Sequence, residues 1–293
     1  MSKVCVLGVI YPGLENFLDA YFASIKQQSL RNFEILLAND GFEEIQHYLR
    51  KHSLEERTRV LKINGSPASI RRKLTIYAQN TGADYFIFTD CDDVLDENRV
   101  EESRSLLEKH DIVVNDLCVT DEELKIKFPH YLSNRIDNGK RFEMLDLIDL
   151  NFMGLTNTSC SRKVLQISSF ISNYDVIAFD WLYWSLALSL NYSAVFTCRT
   201  STKYRNYNKN IAGLPQNVNQ DSIEFGLRVK RLHYKALSRI DSSNEVFSKR
   251  LLQVEEMINY KNKQYIYENM IENMNKYYPL WWENIRLIDF SRN

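Results

Sequence analysis

Asp84 to Asn98 reads DYFIFTDCDDVLDEN. Four apolar residues, Tyr85, Phe86, Ile87 and Phe88, run directly into Asp90, Asp92, Asp93 and Asp96. Crowded carboxylates repel one another and raise their own pKa values. A hard divalent cation such as Mg²⁺ or Mn²⁺ relieves that repulsion and prefers oxygen ligands. If the strand stays extended to its tip, side chains alternate and Asp90 and Asp92 face the same side. Few protein ligands would then leave coordination positions for a diphosphate. On spacing alone, a solvated acidic loop explains the cluster equally well. For Asp96 and Glu97 that loop is the preferred reading, with Asp96 capping the next helix.

Other polar groups fall at similar places. Asp40 follows an apolar stretch in Asn39-Asp40-Gly41. That sequence favours a tight turn by itself, and it could also place Asp40 to read a nucleotide base or ribose. Arg71 and Arg72 lie about one turn after Ser66-Pro67, which reads as an N-cap and first helical residue. A helix N-terminus disfavours cations and suits an anion. Arginines there would strengthen an anion site, a donor diphosphate being one candidate. Two exposed arginines are the plainer alternative.

These groups need a sheet edge to gather them, and the first 115 or so residues alternate strand and helix. Val4–Ile10 is a near-continuous apolar run, the pattern of a strand buried on both faces. Helical spacing follows over Glu15–Gln28, then a strand at Phe33–Ala38, a helix at Phe42–Lys51 and a strand at Arg59–Ile63. A helix opens at Ser66, Tyr85–Thr89 is a strand, Arg99–Lys109 a helix and Asp111–Asn115 a strand. Repeated β-α-β implies a mostly parallel sheet covered by helices, a Rossmann-like α/β arrangement. In such sheets ligands bind beyond the carboxyl ends of the strands, where Asp40 and Asp90 fall. The middle of the chain predicts helices over Arg141–Leu150 and Ala178–Leu190 and a strand over Ser193–Thr197. From Asp221 onward there is one Gly (Gly226) and one Pro (Pro279), and apolar residues recur at helical spacing over Ile223–Leu237 and Val246–Met274. The expected organisation is residues 1–115, residues 116–213, and a C-terminal helical appendage over 214–293.

Composition sets bounds. The chain of 293 residues is 44% hydrophobic and 26% charged, with a net charge of −1. That is ordinary for a globular protein and gives no bulk attraction for polyanions. The cysteines Cys5, Cys91, Cys118, Cys160 and Cys198 are odd in number and contain no CxxC pair, so neither a zinc site nor a disulfide framework is indicated. The longest later apolar run, near WLYWSLALSL, is too short to span a bilayer. The expectation is a cytoplasmic protein with room for peripheral contact at a membrane face.

Taken together, these motifs resemble those of inverting family 2 glycosyltransferases, which have the GT-A fold. SIKQQSLRNFEILLANDGF (Ser24–Phe42) resembles that family's helix, second strand and acidic turn, and DYFIFTDCDD its strand ending in the DxD motif, here Asp90-Cys91-Asp92. YDVIAFDWLYW resembles the segment carrying the catalytic base, and YRNYNKNIAG (Tyr204–Gly213) the loop that closes the donor site. The likeness covers about residues 3 to 213. It implies sugar transfer, hexosyl or N-acetylhexosaminyl, from a nucleotide diphosphate donor, with a UDP-sugar as first choice. Asp92 would bind Mn²⁺ or Mg²⁺, and Asp90 would contact ribose or the metal through water. Asp40, Arg71 and Arg72 would meet the nucleotide, and Asp180 would deprotonate the acceptor hydroxyl. Asp180 and Asp175 also suit helix capping. The acceptor would be a saccharide or lipid-linked saccharide of a bacterial-type surface polysaccharide or lipopolysaccharide. Where the family often has Pro-Thr-Tyr-Asn, this chain has Pro12-Gly13-Leu14-Glu15. Where its closing loop often has a histidine, Tyr207 and Asn208 stand here. GLTNTSCSRK (Gly154–Lys163) resembles the border of donor sugar and acceptor.

Trp181 and Trp184 could line an acceptor site, but their spacing on an apolar helix favours packing. The basic residues of Lys203–Arg239 and the aromatic stretch KYYPLWWENIRLI (Lys276–Ile288) suggest membrane contact or a homo-oligomer, or helices packed on the catalytic domain. No nucleic-acid motif accompanies the charge. Two other functions compete. FTDCDDVL mimics the opening of haloacid-dehalogenase-like phosphatases, although Asp93 replaces their glycine. A catalytically inactive sugar-nucleotide-binding protein is the non-enzyme alternative.

Overall fold

The computed structural model describes residues 2–171, 174–207, 219–272 and 285–288. Asn208, the rest of the expected closing loop, and the aromatic stretch up to residue 284 lie outside them. The strands are β1 Val4–Ile10, β2 Glu34–Asn39, β3 Thr58–Lys62, β4 Tyr85–Phe88, β5 Val94–Leu95, β6 Ile112–Thr120, β7 Ile126–Phe128, β8 Arg141–Phe142, β9 Thr158–Ser161 and β10 Ala194–Arg205. The helices are α1 Glu15–Lys26, α2 Ile45–Lys51, α3 Pro67–Ala78, α4 Arg99–Leu107, α5 Arg162–Leu165, α6 Phe179–Ser189, α7 Gln220–Ile240, α8 Glu245–Asn259 and α9 Lys263–Glu272.

The apolar run of β1 is buried along its whole length because it lies in the middle of the sheet. The order is β3-β2-β1-β4-β9-β6-β10-β5, with β7 on β6 and β8 on β10. Strands β1, β2, β3, β4, β6 and β10 run the same way, and the short strands β5, β7, β8 and β9 oppose them. The fold is therefore α/β, with a mixed sheet whose long strands are parallel. The chain builds β1, β2 and β3 outward on one side of β1, then places β4 on the other. That makes the β1/β4 boundary the topological switch point, where the crevice opens beyond the strand ends.

Three expected elements differ. Arg141–Leu150 is not a helix: Arg141 and Phe142 pair antiparallel with Val195 and Ala194, and a 3₁₀ turn follows over Met144–Leu147. Pairing with an open edge of β10 outweighs local helical spacing. β10 runs past Thr197 to Arg205, with its register on β6 shifting between Thr197 and Ser201. This irregularity hides the strand's length in the sequence. The periodic stretch after Val246 breaks between Asn259 and Lys263 into α8 and α9.

Helix α7 packs on α6 and α8. Its Gly226 is explained by contact: a Cβ there would lie 1.8 Å from Cδ1 of Ile285. The short segment 285–288 thus lies directly on the α7 backbone, and Ile288 N–H meets Met257 Sδ of α8 at 3.3 Å. Among the described residues no helix is long and apolar enough to cross a membrane.

Candidate active site

The site forms where β1 and β4 end. Thr89 N–H donates to the Leu7 carbonyl at 2.8 Å, and the Thr89 hydroxyl contacts the same carbonyl (2.9 Å) and the Tyr21 hydroxyl (2.8 Å). Cys91 points inward. A Cβ on Gly8 of β1 would come within 2.9 Å of its Sγ, so the bare backbone of β1 receives the middle residue of Asp-Cys-Asp. Burying Cys91 turns its two neighbours away from the core.

The strand does not stay extended to Asp92. Asp93 N–H closes a turn on the Asp90 carbonyl at 3.1 Å, and Asp93 is the acid that builds this turn. Its buried carboxylate accepts from the Thr156 hydroxyl (2.6 Å) and from Arg205 N–H at the end of β10 (2.8 Å). The Arg205 guanidinium donates to the Asp92 carbonyl and lies 4.8 Å over the Phe17 ring. Burial, then Asp92 and Asp90, push the Asp93 carboxyl well above the usual range.

Asp92 is 8% exposed. Its Oδ2 accepts from the Tyr207 hydroxyl at 2.9 Å, and the Tyr207 ring rests on Phe17 at 4.9 Å. Burial, followed by the Asp90 charge, pushes the Asp92 carboxyl up to about 6. Tyr11, the residue after β1, faces the same acids. Burial, then Asp92 and Asp90, raise its hydroxyl above the ordinary range, while a hydrogen bond with Tyr207 opposes the shift.

Arg71 joins the two sides of the cleft. Ser66 caps α3 by accepting from Ser69 N–H at 3.3 Å, and α3 carries Arg71 to Asp90 Oδ1 at 3.1 Å, both side chains 26% exposed. Burial opposes the Arg71 charge, but Asp90 and then Asp180 more than offset it and raise its pKa. Asp180 enters from the first turn of α6. It is not the cap; Ala178 holds that position without a side-chain bond, and Asp175 is exposed. Asp180 Oδ1 accepts from Trp181 N–H at 2.9 Å. Burial raises its pKa, opposed by Arg71, this N–H and a hydrogen bond from the Asn151 side chain. Gly154 is bare beside it: a Cβ there would sit 3.9 Å from Asp180 Oδ2. Arg72 is half-buried on α3 and joins none of these contacts among the described residues.

Asp40 stands at the end of β2, its N–H on the Ile10 carbonyl at 2.8 Å. The turn is made by Asn39, whose side chain accepts from Phe42 N–H (2.7 Å) and donates to the Phe42 carbonyl (2.8 Å). Gly41 supplies the positive φ of +88°. The Asp40 carboxylate takes no part in closing the turn.

Asp96 does not cap α4. Its carboxylate accepts from Ser201 N–H (2.8 Å) and hydroxyl (2.7 Å), pinning β10. Trp181 and Trp184 have no exposed surface. Trp184 packs edge-on against Phe88 at 5.6 Å, and Trp181 stacks on His233 at 3.7 Å. Among the described residues, no three of His, Cys, Asp and Glu converge as a ready-made metal cage. Sequence reasoning did not assign Tyr11, Asn39, Asp93, Asn151 or Arg205. Tyr11 and Asp93 were open to it, as the residue after β1 and the last acid of the Asp90–Asp93 run. Nothing local marks Asn151.

A family model described as glycosyl transferase family 2 matches residues 6–167, more than half of the chain. The chain belongs to this family, which sets aside the phosphatase reading. Among curated proteins, glycosyltransferase GlyA of Streptococcus pneumoniae serotype 4 is 29% identical over 100 residues, 34% of this chain but 14% of that protein. This chain thus corresponds to a small part of that relative. Among solved structures, residues 1–349 of S. aureus TarS in complex with UDP-GlcNAc match with a TM-score of 0.62 at 13% identity, over 97% of this chain and 79% of that one. The mannosyltransferase PcManGT of Pyrobaculum calidifontis, in complex with GDP-Man and Mn²⁺, matches with a TM-score of 0.55 at 11% identity, over 96% and 83%. These likenesses establish the GT-A fold.

Proposed function

We propose that this glycosyltransferase moves a hexosyl or N-acetylhexosaminyl group from a nucleotide diphosphate donor to an acceptor hydroxyl with inversion, in a divalent-cation-dependent reaction. The observation that carries this reading is Arg71. It pairs with Asp90 and acts electrostatically on Asp180, so the acids after β4 and the acid on α6 belong to one cleft at the switch point.

The donor set fits a divalent cation. Asp92 is a buried carboxylate raised to about 6 because burial and the Asp90 charge outweigh the help of Tyr207 and Arg71, so its charge is left under-compensated. Asp92 and Asp90 would hold Mn²⁺ or Mg²⁺. When bound, such a cation supplies counter-charge to a leaving diphosphate. Asp40, which takes no part in closing its turn, would contact base or ribose. Arg71 and Arg72 are assigned to the nucleotide side, Arg71 also as the bridge between carboxylates. Asp180 accepts the proton of the acceptor hydroxyl. Its raised pKa makes it a better proton acceptor than an ordinary carboxylate, and a single in-line displacement inverts the anomeric centre.

TarS binds UDP-GlcNAc and UDP, and PcManGT binds GDP-Man and Mn²⁺. By this likeness we assign a nucleotide-sugar donor, UDP-linked as first choice. The acceptor is a saccharide or lipid-linked saccharide in surface polysaccharide or lipopolysaccharide synthesis, and we assign the protein to the cytoplasm, with room for peripheral contact at the inner face of the membrane. We assign residues 1–115 to the nucleotide side, 116–213 to the acceptor side and 214–293 to a separate C-terminal region whose described part is helical.

The test is Asp180→Asn. It should keep the thermal shift given by UDP, GDP, CDP or dTDP with Mn²⁺ and lose transfer by about 10²–10⁴-fold. Transfer at the normal rate means that the base is elsewhere. Nucleotide binding without transfer by the unsubstituted chain, over a broad acceptor panel, favours the inactive binding protein.

A further inference from the structure

The C-terminal helices reach the site through one short segment. Residues 147–151 leave the 3₁₀ turn and end at Asn151, whose side-chain amide acts on Asp180 and favours its charged form. Apart from the turn bond of Ile148 N–H to the Leu145 carbonyl, the polar side chains that hold this segment among the described residues come from later in the chain. Lys230 Nζ of α7 donates to the Asp149 carbonyl at 2.8 Å. The Tyr234 hydroxyl, also on α7, lies 2.8 Å from the Ile148 carbonyl and 2.9 Å from Asp149 Oδ1, sharing its proton between them. Arg250 of α8 pairs with Asp149 Oδ2 at 2.7 Å. Trp181, the residue after Asp180, donates its indole N–H to the Leu147 carbonyl at 2.8 Å. A face of this indole stacks on His233 of α7 with an interplanar angle of 9°, and Lys230 Nζ lies 5.4 Å from its centroid.

We propose that α7 and α8 are part of the catalytic apparatus, with Lys230, Tyr234 and Arg250 as positioning residues that hold Leu147–Asn151 so that Asn151 meets Asp180. This rests on Asp180 being the base. Two routes converge on that residue: Trp181 fixes the backbone next to it, and the Asp149 clamp fixes the amide that orients its carboxylate. Lys230 is 1% exposed. Burying an ammonium is costly unless it is hydrogen-bonded, and here its bond goes to the segment next to the base. A helical layer serving bulk stability alone would not need three polar side chains focused on two residues. The other charged groups acting on Asp180 are Arg71 from α3 and Asp90 from the turn after β4. Lys230 and His233 of α7 lie against Trp181.

The experiment follows the Asp180 carboxyl carbon by ¹³C NMR in aspartate-labelled full-length chain without ligands, assigned with Asp180→Asn. Asn151→Ala should raise its titration midpoint, on the order of half a pH unit, because a bond to the charged form is lost. Tyr234→Phe and Arg250→Met should move it in the same direction with the thermal midpoint of unfolding largely kept, and Arg250→Lys should return it toward the original value. Rates of donor cleavage with UDP-GlcNAc and GDP-Man should fall on the order of tenfold in kcat, with KM for donor unchanged. An unchanged midpoint in Asn151→Ala, or in both Tyr234→Phe and Arg250→Met, overturns the proposal. Arg250 is 28% exposed, so its variants keep the test open if Tyr234→Phe unfolds. Normal transfer by Asp180→Asn would sink the base assignment separately, leaving the titration result to stand for the clamp.

Discussion

Two turns on the same edge of the sheet carry acids, and they are closed in different ways. After β2, Asn39 closes the turn on Phe42, three residues away, and leaves Asp40 facing outward. After β4, Asp93 does the same service for Asp90 and Asp92, but its partners Thr156 and Arg205 lie 63 and 112 residues downstream. Both turns separate a polar residue that builds from a carboxylate that is left available. The difference is in reach. The first turn is a local object that a short peptide could form. The second exists only once the 3₁₀ turn at Leu155–Asn157 and the end of β10 have arrived, and it is buried enough to shift its own acids.

The largest effect that tests this contrast is on Asp93. Asp93→Ala leaves the Thr156 hydroxyl and Arg205 N–H without their acceptor, and should cost about 3 kcal/mol in urea unfolding. A loss of less than about 0.5 kcal/mol would show that the turn closes without it. The next effect belongs to Asp92, whose folded-state pKa of about 6 lies above its ordinary value of 3.8. Such a group favours the folded state fully below the unfolded value, and that contribution disappears as pH rises through the folded one. With EDTA present, stability should therefore fall from about pH 4 to about pH 6, on the order of 1–2 kcal/mol. Asp92→Asn should make that part of the curve shallower, leaving the share of Asp93 and Asp180, whose carboxyls are also raised by burial. An undiminished slope after the substitution would assign the effect to those groups instead. The smallest effects lie at the first turn: Asn39→Ala should cost about 1–2 kcal/mol and Asp40→Ala less than about 0.5, read by the same denaturation. Equal costs would mean that Asp40 shares in the turn after all.

The same contrast decides what could be read from sequence. The Val4–Ile10 run, the Ser66-Pro67 helix start and the Tyr85–Phe88 strand declare themselves because burial and capping there depend on adjacent residues. Asp90 and Asp92 stood out as a cluster, and Asp40 by its place after a strand. The Arg141–Leu150 segment misled because its fate is set by pairing with β10, some fifty residues later. Asn151 was invisible for a similar reason: the segment just before it is bonded by Tyr234 and Arg250, which lie 86 and 101 residues after their partners. Cys91 looked incidental between two acids, yet it is buried against Gly8. Arg71 was readable as a helix-start cation, but not as the link between Asp90 and Asp180, because that link crosses from α3 to two other elements.

Gly226 carries a last implication. A hydrogen atom in place of a side chain makes a notch in α7 that takes the tip of Ile285. Ile285, Arg286 and Leu287 also line a cavity of about 510 Å³ together with Asp149 and Arg250. A single added methyl group at position 226 would unseat that wall without touching any polar contact. Residues 285–287 are thus keyed to the surroundings of Asp149 by one missing carbon on α7.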